Sequence, residues 1–421
     1  MSKTIWTLGL ALIAMLAAVP GHGQWTSQFQ FGGIYNSIYL SPQDTPTPFT
    51  PEGNDPSFIS TLTLLMNVSL DDQLSAFATV ETLRGLSISI YAMGINWQPG
   101  PSPLLQLRAG KFMAPFGNFL ERRYASTNPL IGLPILYDYL HDLSAFDVPE
   151  NNAELLLIRG KGLSLQYPDL GHSSAQTAQA TGGERILSGH LPKPGRGMRI
   201  LSRELYLTGL ELFGWAKHWR YAVAVTNGAL SNPADRNPNG GVNLMGRFVL
   251  LPTTGLVLGV SVARGAYLNK SAVAEKLAAI GKKARDVKQI SAGADVMFSY
   301  RHLDAWAEYL WNRYQSPFLP QNLDLQGWSI EAKYKFSARV YGAARFNALR
   351  FGRIADTLDV DGDGQLMEPW DFNVSQLEVA LGLRLNRNSY LKLSHQFNRS
   401  FNVPQGDPAD DINAFQIVVF F

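Results

Sequence analysis

The chain has 421 residues, 46% of them hydrophobic, no cysteine and a formal net charge of +2 at neutral pH. That balance gives no general case for nucleic-acid binding, and the missing cysteines exclude a disulfide scaffold. No stretch beyond the N-terminus reaches the roughly eighteen unbroken apolar residues that a membrane-spanning helix needs.

Residues 1–23 read as a signal peptide. Lys3 opens it, an apolar run extends from Ile5 to Val19, Pro20 breaks the run, and Gly21-His22-Gly23 supplies a small-x-small cleavage pattern before Gln24. The remainder, 24–421, shows no Gly/Ser linker, charge run or compositional step, and reads as one domain. Its first strand is expected almost at once, from Trp25, leaving no room for an N-terminal plug.

Residues 104–111 begin as a strand, with Leu105, Leu107 and Ala109 on one face and Gln106 and Arg108 on the other. Alternation then stops until near Ala153. The segment 113–151 is expected to fold into the lumen of a barrel and narrow it, bringing Glu121, Arg122 and Arg123 to the constriction beside Arg108 and Lys111. The bland alternative is a long surface loop that caps the barrel.

Further along, period-two alternation is clean in 217–226, 288–298, 303–312, 325–336 and 376–385. In 325–336, for example, Trp328, Ile330, Ala332, Tyr334 and Phe336 oppose Ser329, Glu331, Lys333 and Lys335. Connections alternate between short joints (Asp71-Asp72, 99–103, Gly160, 214–216, 252–254, Arg301, Ser337, 386–388) and long ones (41–56, 113–151, 168–202, 229–240, 266–286, 315–324, 351–372, 400–410). Gly85 is the one short joint on the long side. Aromatic residues gather at the ends of the apolar faces, as in Trp219-x-Tyr221, Tyr309-x-Trp311 and Tyr334-x-Phe336. The fold class expected is all-β: a transmembrane antiparallel β-barrel of about 16–18 strands with short periplasmic turns and long external loops. The last strand carries Phe415, Ile417, Val419 and Phe421 on one face. A final aromatic residue resembles the C-terminal signature of bacterial outer-membrane barrels.

At residues 108–117, RAGKFMAPFG, the chain is similar to the phosphate-selective porin family, whose pattern Gly110, Lys111, Phe112, Pro115, Phe116 and Gly117 match. The resemblance implies an outer-membrane channel of a Gram-negative bacterium, assembled as a homotrimer. It does not extend to phosphate, because the polar faces hold no one-signed ladder. Arg108, Arg220, Arg247, Lys333, Lys335, Arg339, Arg345, Arg384 and Lys392 are interleaved with Glu81, Asp295, Asp304, Glu308, Glu331 and Glu378. Such a mixture sustains a wet lumen and cross-strand pairs rather than a selective ring.

Other motifs carry less. Asp359, Asp361, Asp363 and Gln365 resemble the start of a Ca²⁺-binding loop, but Trp370 stands where the bidentate Glu is needed. An acidic solvated turn is the alternative, and no cofactor is required. Val273, Leu277, Ile280 and Ala284 predict a short amphipathic helix within 269–286, whose basic residues could meet lipopolysaccharide phosphates. The seven histidines show no metal-ligand spacing, and there is no nucleophile elbow or phosphate loop, so no enzyme is expected. The expectation is a channel for passive diffusion of small hydrophilic solutes or ions, with a mild anion preference. The competing reading is a loop-borne receptor or adhesin, or a structural barrel with a closed lumen.

Overall fold

The computed structural model describes residues 29–43, 55–83, 87–159, 197–203, 205–359, 362–404 and 406–421. The expected signal segment lies outside them. The alternating segments form a closed antiparallel barrel of sixteen strands, each paired with its neighbours in chain order. The first eight are β1 (Phe29–Pro42), β2 (Ser57–Ser69), β3 (Leu74–Leu83), β4 (Ser87–Trp97), β5 (Gln106–Met113), β6 (Tyr206–Trp215), β7 (Trp219–Thr226) and β8 (Asn243–Thr253). The second eight are β9 (Leu256–Ala266), β10 (Lys288–Tyr300), β11 (Leu303–Tyr314), β12 (Leu323–Lys335), β13 (Val340–Phe351), β14 (Val374–Asn386), β15 (Ser389–Ser400) and β16 (Ile412–Phe420). β16 returns to β1 in a register running from Ile34 opposite Phe420 to Pro42 opposite Ile412. Every ladder bond is thereby made within the ring, the condition for β-structure to cross hydrocarbon.

The count is the lower end of the expected range because the first strand of the hairpin read around Gly160 is a helix. Residues 152–158, expected to resume a strand near Ala153, form a helix instead, α2 (Asn152–Ile158); α1 (Ile135–Asp138) precedes it. The Asn151 side chain caps α2 by accepting from the Glu154 backbone N–H, while the Glu150 N–H donates to the Glu154 carboxylate. Residues 160–168 lie outside the described set. β5 pairs directly with β6, so among the described residues the chain leaves the wall after Met113 and returns to it at Tyr206.

Side chains sort by parity. Ile330 and Tyr334 on β12, Val260 and Val262 on β9, and Leu381 and Leu383 on β14 face outwards and are exposed, as a lipid-facing band requires. Aromatic rings edge this band in contact with one another: Trp219 with Tyr221, Tyr334 with Phe336, and Phe31 with Phe421. No described helix is long and apolar enough to cross a membrane. The predicted helix in the loop after β9 is present as α3 (Lys270–Ala278), which buries Val273 and Leu277. Ala284 is also buried, in a following 3₁₀ turn, whereas Ile280 is exposed.

Candidate functional site

The excursion after β5 enters the barrel, and the reason lies in what the wall offers it. On the side facing the loops, the inward parity of β11 to β14 is apolar: Leu310, Leu323, Leu325, Leu349 and Val374 are all buried. They form one core with Phe116, Phe119, Leu120, Ile135, Leu136 and Tyr137 of the excursion. Burying an aliphatic side chain of this size contributes about 1.5–3 kcal/mol, so these positions drive insertion of a chain segment that a water-filled lumen would repel.

Polar groups then fix the register of the inserted segment. The Gly117 backbone N–H donates to Ser261 Oγ at 3.2 Å, and Asn118 Nδ2 donates to the Ala307 carbonyl at 3.3 Å. Tyr137 donates its hydroxyl proton to Glu308 at 2.7 Å. Glu378 Oε1 accepts from the backbone N–H groups of Ile131 (3.1 Å) and Gly132 (2.9 Å). Lys392 reaches from β15 and gives protons to the carbonyls of Ala125 and Asn128, both at 2.7 Å. The excursion is therefore stitched to β9, β11, β14 and β15 through groups that would otherwise be buried without partners.

Arg345 stands at the centre of this face. Its guanidinium donates to Glu331 at 3.1 Å and to Glu378 at 2.6 Å, and it also donates to the Gly132 carbonyl at 2.7 Å. Arg122 completes the set by donating to the other oxygen of Glu331, with its guanidinium 4.4 Å from the Trp306 ring centroid. Two arginines and two glutamates cancel, and removing one member of such a buried set costs about 3–5 kcal/mol.

The five residues expected at the constriction are distributed as follows. Arg122 is buried against β12. Its neighbour Arg123 points the other way, 3.5 Å from Glu81 on β3 and about 5 Å from the rings of Tyr91, Tyr124 and Tyr206. β3 and β12 lie on opposite sides of a sixteen-strand ring, so two consecutive arginines brace the excursion across the lumen. Glu121 is exposed beside them. Arg108 has inward parity but is engaged on the wall, bonded to Asn96 Oδ1 and to Glu211 at 2.8 Å. Lys111 has the opposite parity, opposite Met93 and Thr208, and its ammonium lies 2.9 Å from Asp235 in the loop after β7. The structure thus brings Glu121, Arg122 and Arg123 together and separates Arg108 and Lys111 from them.

Sequence reading missed Lys392, Tyr137 and the group around Asp138 as anchors. Asp138 receives Arg203 at 2.8 Å and Arg199 at 3.3 Å. Burial opposes its charge, but these two guanidinium groups outweigh it and hold the carboxyl below its ordinary range. A findable signal existed in Leu310, Leu325 and Leu349, apolar residues on the supposedly polar face. In the proposed Ca²⁺ loop, Asp359 Oδ1 accepts from the Gly364 N–H at 2.9 Å and Asp363 Oδ1 from the Gln365 N–H at 2.8 Å. Asp361 lies outside the described residues, and no group of three or more potential metal ligands occurs among those described.

No family model matches the sequence, and neither does any curated protein. Solved structures do match in shape. The outer membrane channel DcaP of Acinetobacter baumannii superposes with a TM-score of 0.54 at 8% identity, over 93% of this chain and 97% of that one. The anion-selective porin from Comamonas acidovorans gives 0.54 at 8% identity, over 93% and 99%. Salmonella typhi OmpF, in complex with daunomycin, gives 0.53 at 10% identity, over 93% and 97%. At these identities the likeness is one of fold, and the fold is that of the outer-membrane porins.

Proposed function

We propose that this chain is a channel of the Gram-negative outer membrane, exported through a cleavable signal, that lets small hydrophilic solutes and ions diffuse passively. The observation that carries this reading is the brace formed by Arg122 and Arg123, which holds the excursion across the barrel instead of over it. An inserted segment that narrows a polar lumen sets a size limit without any moving part or cofactor. Catalysis has no support in the chemistry of the site. Its ionised groups are engaged with one another, and the fold relatives are porins.

Charge selection is weak on this reading, because Arg122 and Arg123 each face a glutamate. Any anion bias is therefore mild. Kinship with the phosphate-selective porins, the homotrimer that it implies, and contacts with lipopolysaccharide belong to the same proposal and rest on the decapeptide and the outer apolar band.

The test is single-channel recording of the refolded chain in a planar bilayer under a KCl gradient. Discrete steps with a small reversal potential are expected, and Arg123→Ala should enlarge the steps by freeing one end of the brace. Insertion without conductance would sink the channel reading and favour a structural or receptor barrel. Unchanged steps in Arg123→Ala would move the constriction elsewhere.

A further inference from the structure

Apolar residues of inward parity on β6 to β9 and on β11 to β14 are buried in one core with the excursion. Among the described residues, those in the middle of β1 and β2, on the far side of the brace, lie outside that core. Glu81 turns inwards to meet Arg123, Thr63 lies opposite Glu81 and donates to it at 2.8 Å, and Ile34 lies opposite Thr63. By alternation Asn36, Ile38 and Leu40 on β1, and Ile59, Thr61 and Leu65 on β2, therefore also face the lumen. Going round the other way gives the same answer, because Ile38 lies opposite Gln416, and Gln416 opposite Lys392, whose ammonium holds the excursion.

Ile38 and Ile59 are direct cross-strand partners, and both are half-buried, as are Leu40 and Leu65. Among the described residues, none of these four side chains belongs to the core that the excursion forms with the wall, and each keeps part of its surface accessible. The arc from β16 to β3 is also nearly free of charge: among its inward residues only Glu81 is ionisable, and Arg123 meets it. Cations wait nearer the short-turn mouth. Lys333 and Arg220 have inward parity, on the same faces as Glu331 and Arg247, and neither makes an ion pair among the described residues.

We infer that the passage beside β1 and β2 favours small amphipathic organic anions, monocarboxylates with a compact apolar body, over equally sized hydrophilic anions. The apolar body slides along Ile38, Leu40, Ile59 and Leu65, which removes aliphatic surface from water on both partners. Asn36 and Thr61 hydrogen-bond the polar end, and Lys333 and Arg220 attract the carboxylate at the mouth. The inference rests on the channel reading and deepens it by naming the solute class.

The test uses the full chain in a planar bilayer, with KCl steps recorded first and reversal potentials then measured with sodium hexanoate against sodium gluconate, the same carbon chain bearing hydroxyls. Hexanoate should be the more permeant ion. The double substitution Ile38→Asn with Ile59→Asn should lower the hexanoate-to-gluconate permeability ratio by roughly threefold or more while KCl steps persist. Should that variant fail to assemble, Ile59→Cys provides a second route, because the chain has no other cysteine. A charged, water-soluble thiol reagent should then label the position in the membrane and lower the same ratio. A wild-type ratio at or below one, or a ratio that neither change alters while KCl steps continue, overturns the inference. Absence of KCl steps altogether overturns the channel reading and takes this inference with it.

Discussion

At the scale of single residues, the site is governed by what burial does to polar groups. His141 lies in the excursion, fully buried, with Nε2 3.0 Å from the Tyr314 hydroxyl and its ring edge-on to Tyr314 and Trp370. Burial penalises its charged form and pulls its pKa from 6.5 down to about 3. The inserted excursion therefore keeps His141 neutral, while the released chain takes up a proton below its ordinary pKa. Stability from this group is complete above about pH 6.5 and is lost as the pH falls towards 3. Limited proteolysis of the excursion should accordingly be several-fold faster at pH 4.5 than at pH 7.5, and His141→Gln should flatten that dependence. An unaltered pH response in the variant would assign the effect to other groups. The same burial logic explains why Arg122, Arg345 and Lys392 act as fasteners: each spends its protons on a carboxylate or on backbone carbonyls.

At the scale of elements, the decapeptide of residues 108–117 has a structural meaning that its spacing did not disclose. Gly110 has φ +131° where its backbone crosses Met93 and Gly94, a conformation and an approach closed to a residue with a Cβ. Gly117 has φ +68°, and a Cβ there would overlap the Glu308 carboxylate and the Tyr137 hydroxyl. The motif is thus a hinge that turns the chain off the wall and seats it on β11. Gly117→Ala should cost about 1–3 kcal/mol of local stability and loosen insertion. The expected sign is noisier and larger current steps with barrel content unchanged by circular dichroism, and wild-type steps would show that the hinge tolerates the methyl group. Helix α3 serves the same excursion from outside. Its Lys276 lies 3.0 Å from Asp147 and 3.4 Å from Glu150, so this lysine is spent on an internal contact.

At the scale of the whole molecule, closure is the controlling event. β16 meets β1 along its length, and the chain terminus adds two backbone bonds between Phe421 and Gly33, each 2.9 Å. The Phe421 ring lies over Gly33, where a side chain would not fit, and 6.1 Å from the Phe31 ring. Deleting Phe421 removes these contacts at the seam that closes the ring. The fraction of heat-modifiable, compact barrel on a gel should fall by several-fold on refolding. A wild-type fraction would show that the seam is held by the interior of β16 alone. The lumen that closure encloses is unequal: a charged, apolar-topped wall from β8 to β15 lies under the excursion, and an almost uncharged arc runs from β16 to β3.

Some of this was legible along the chain. The period-two faces of β10, β11, β12 and β14 set which side chains meet lipid, because alternation is a property of the extended backbone and needs no partner strand. The turns between neighbouring strands followed from breaks in that period, and so did the departure after Lys111. The mixed inner charges were correctly read as pairing partners: Arg345 meets Glu378 directly across the ladder at 2.6 Å, and Arg247 reaches over β9 to Asp295 at 2.6 Å.

Other features depended on the closed ring. Residues 152–158 were misread because a short apolar run suits either strand or helix, and the Asn151 cap and burial inside the barrel decided for helix. Lys111 and Arg108 are three residues apart and face opposite ways, a consequence of strand parity that places one beside Asp235 and the other beside Glu211. Arg122 and Arg123 are adjacent, yet they reach β12 and β3. Nothing local distinguishes them; only the diameter of the barrel, and a carboxylate waiting on each side, sends one each way.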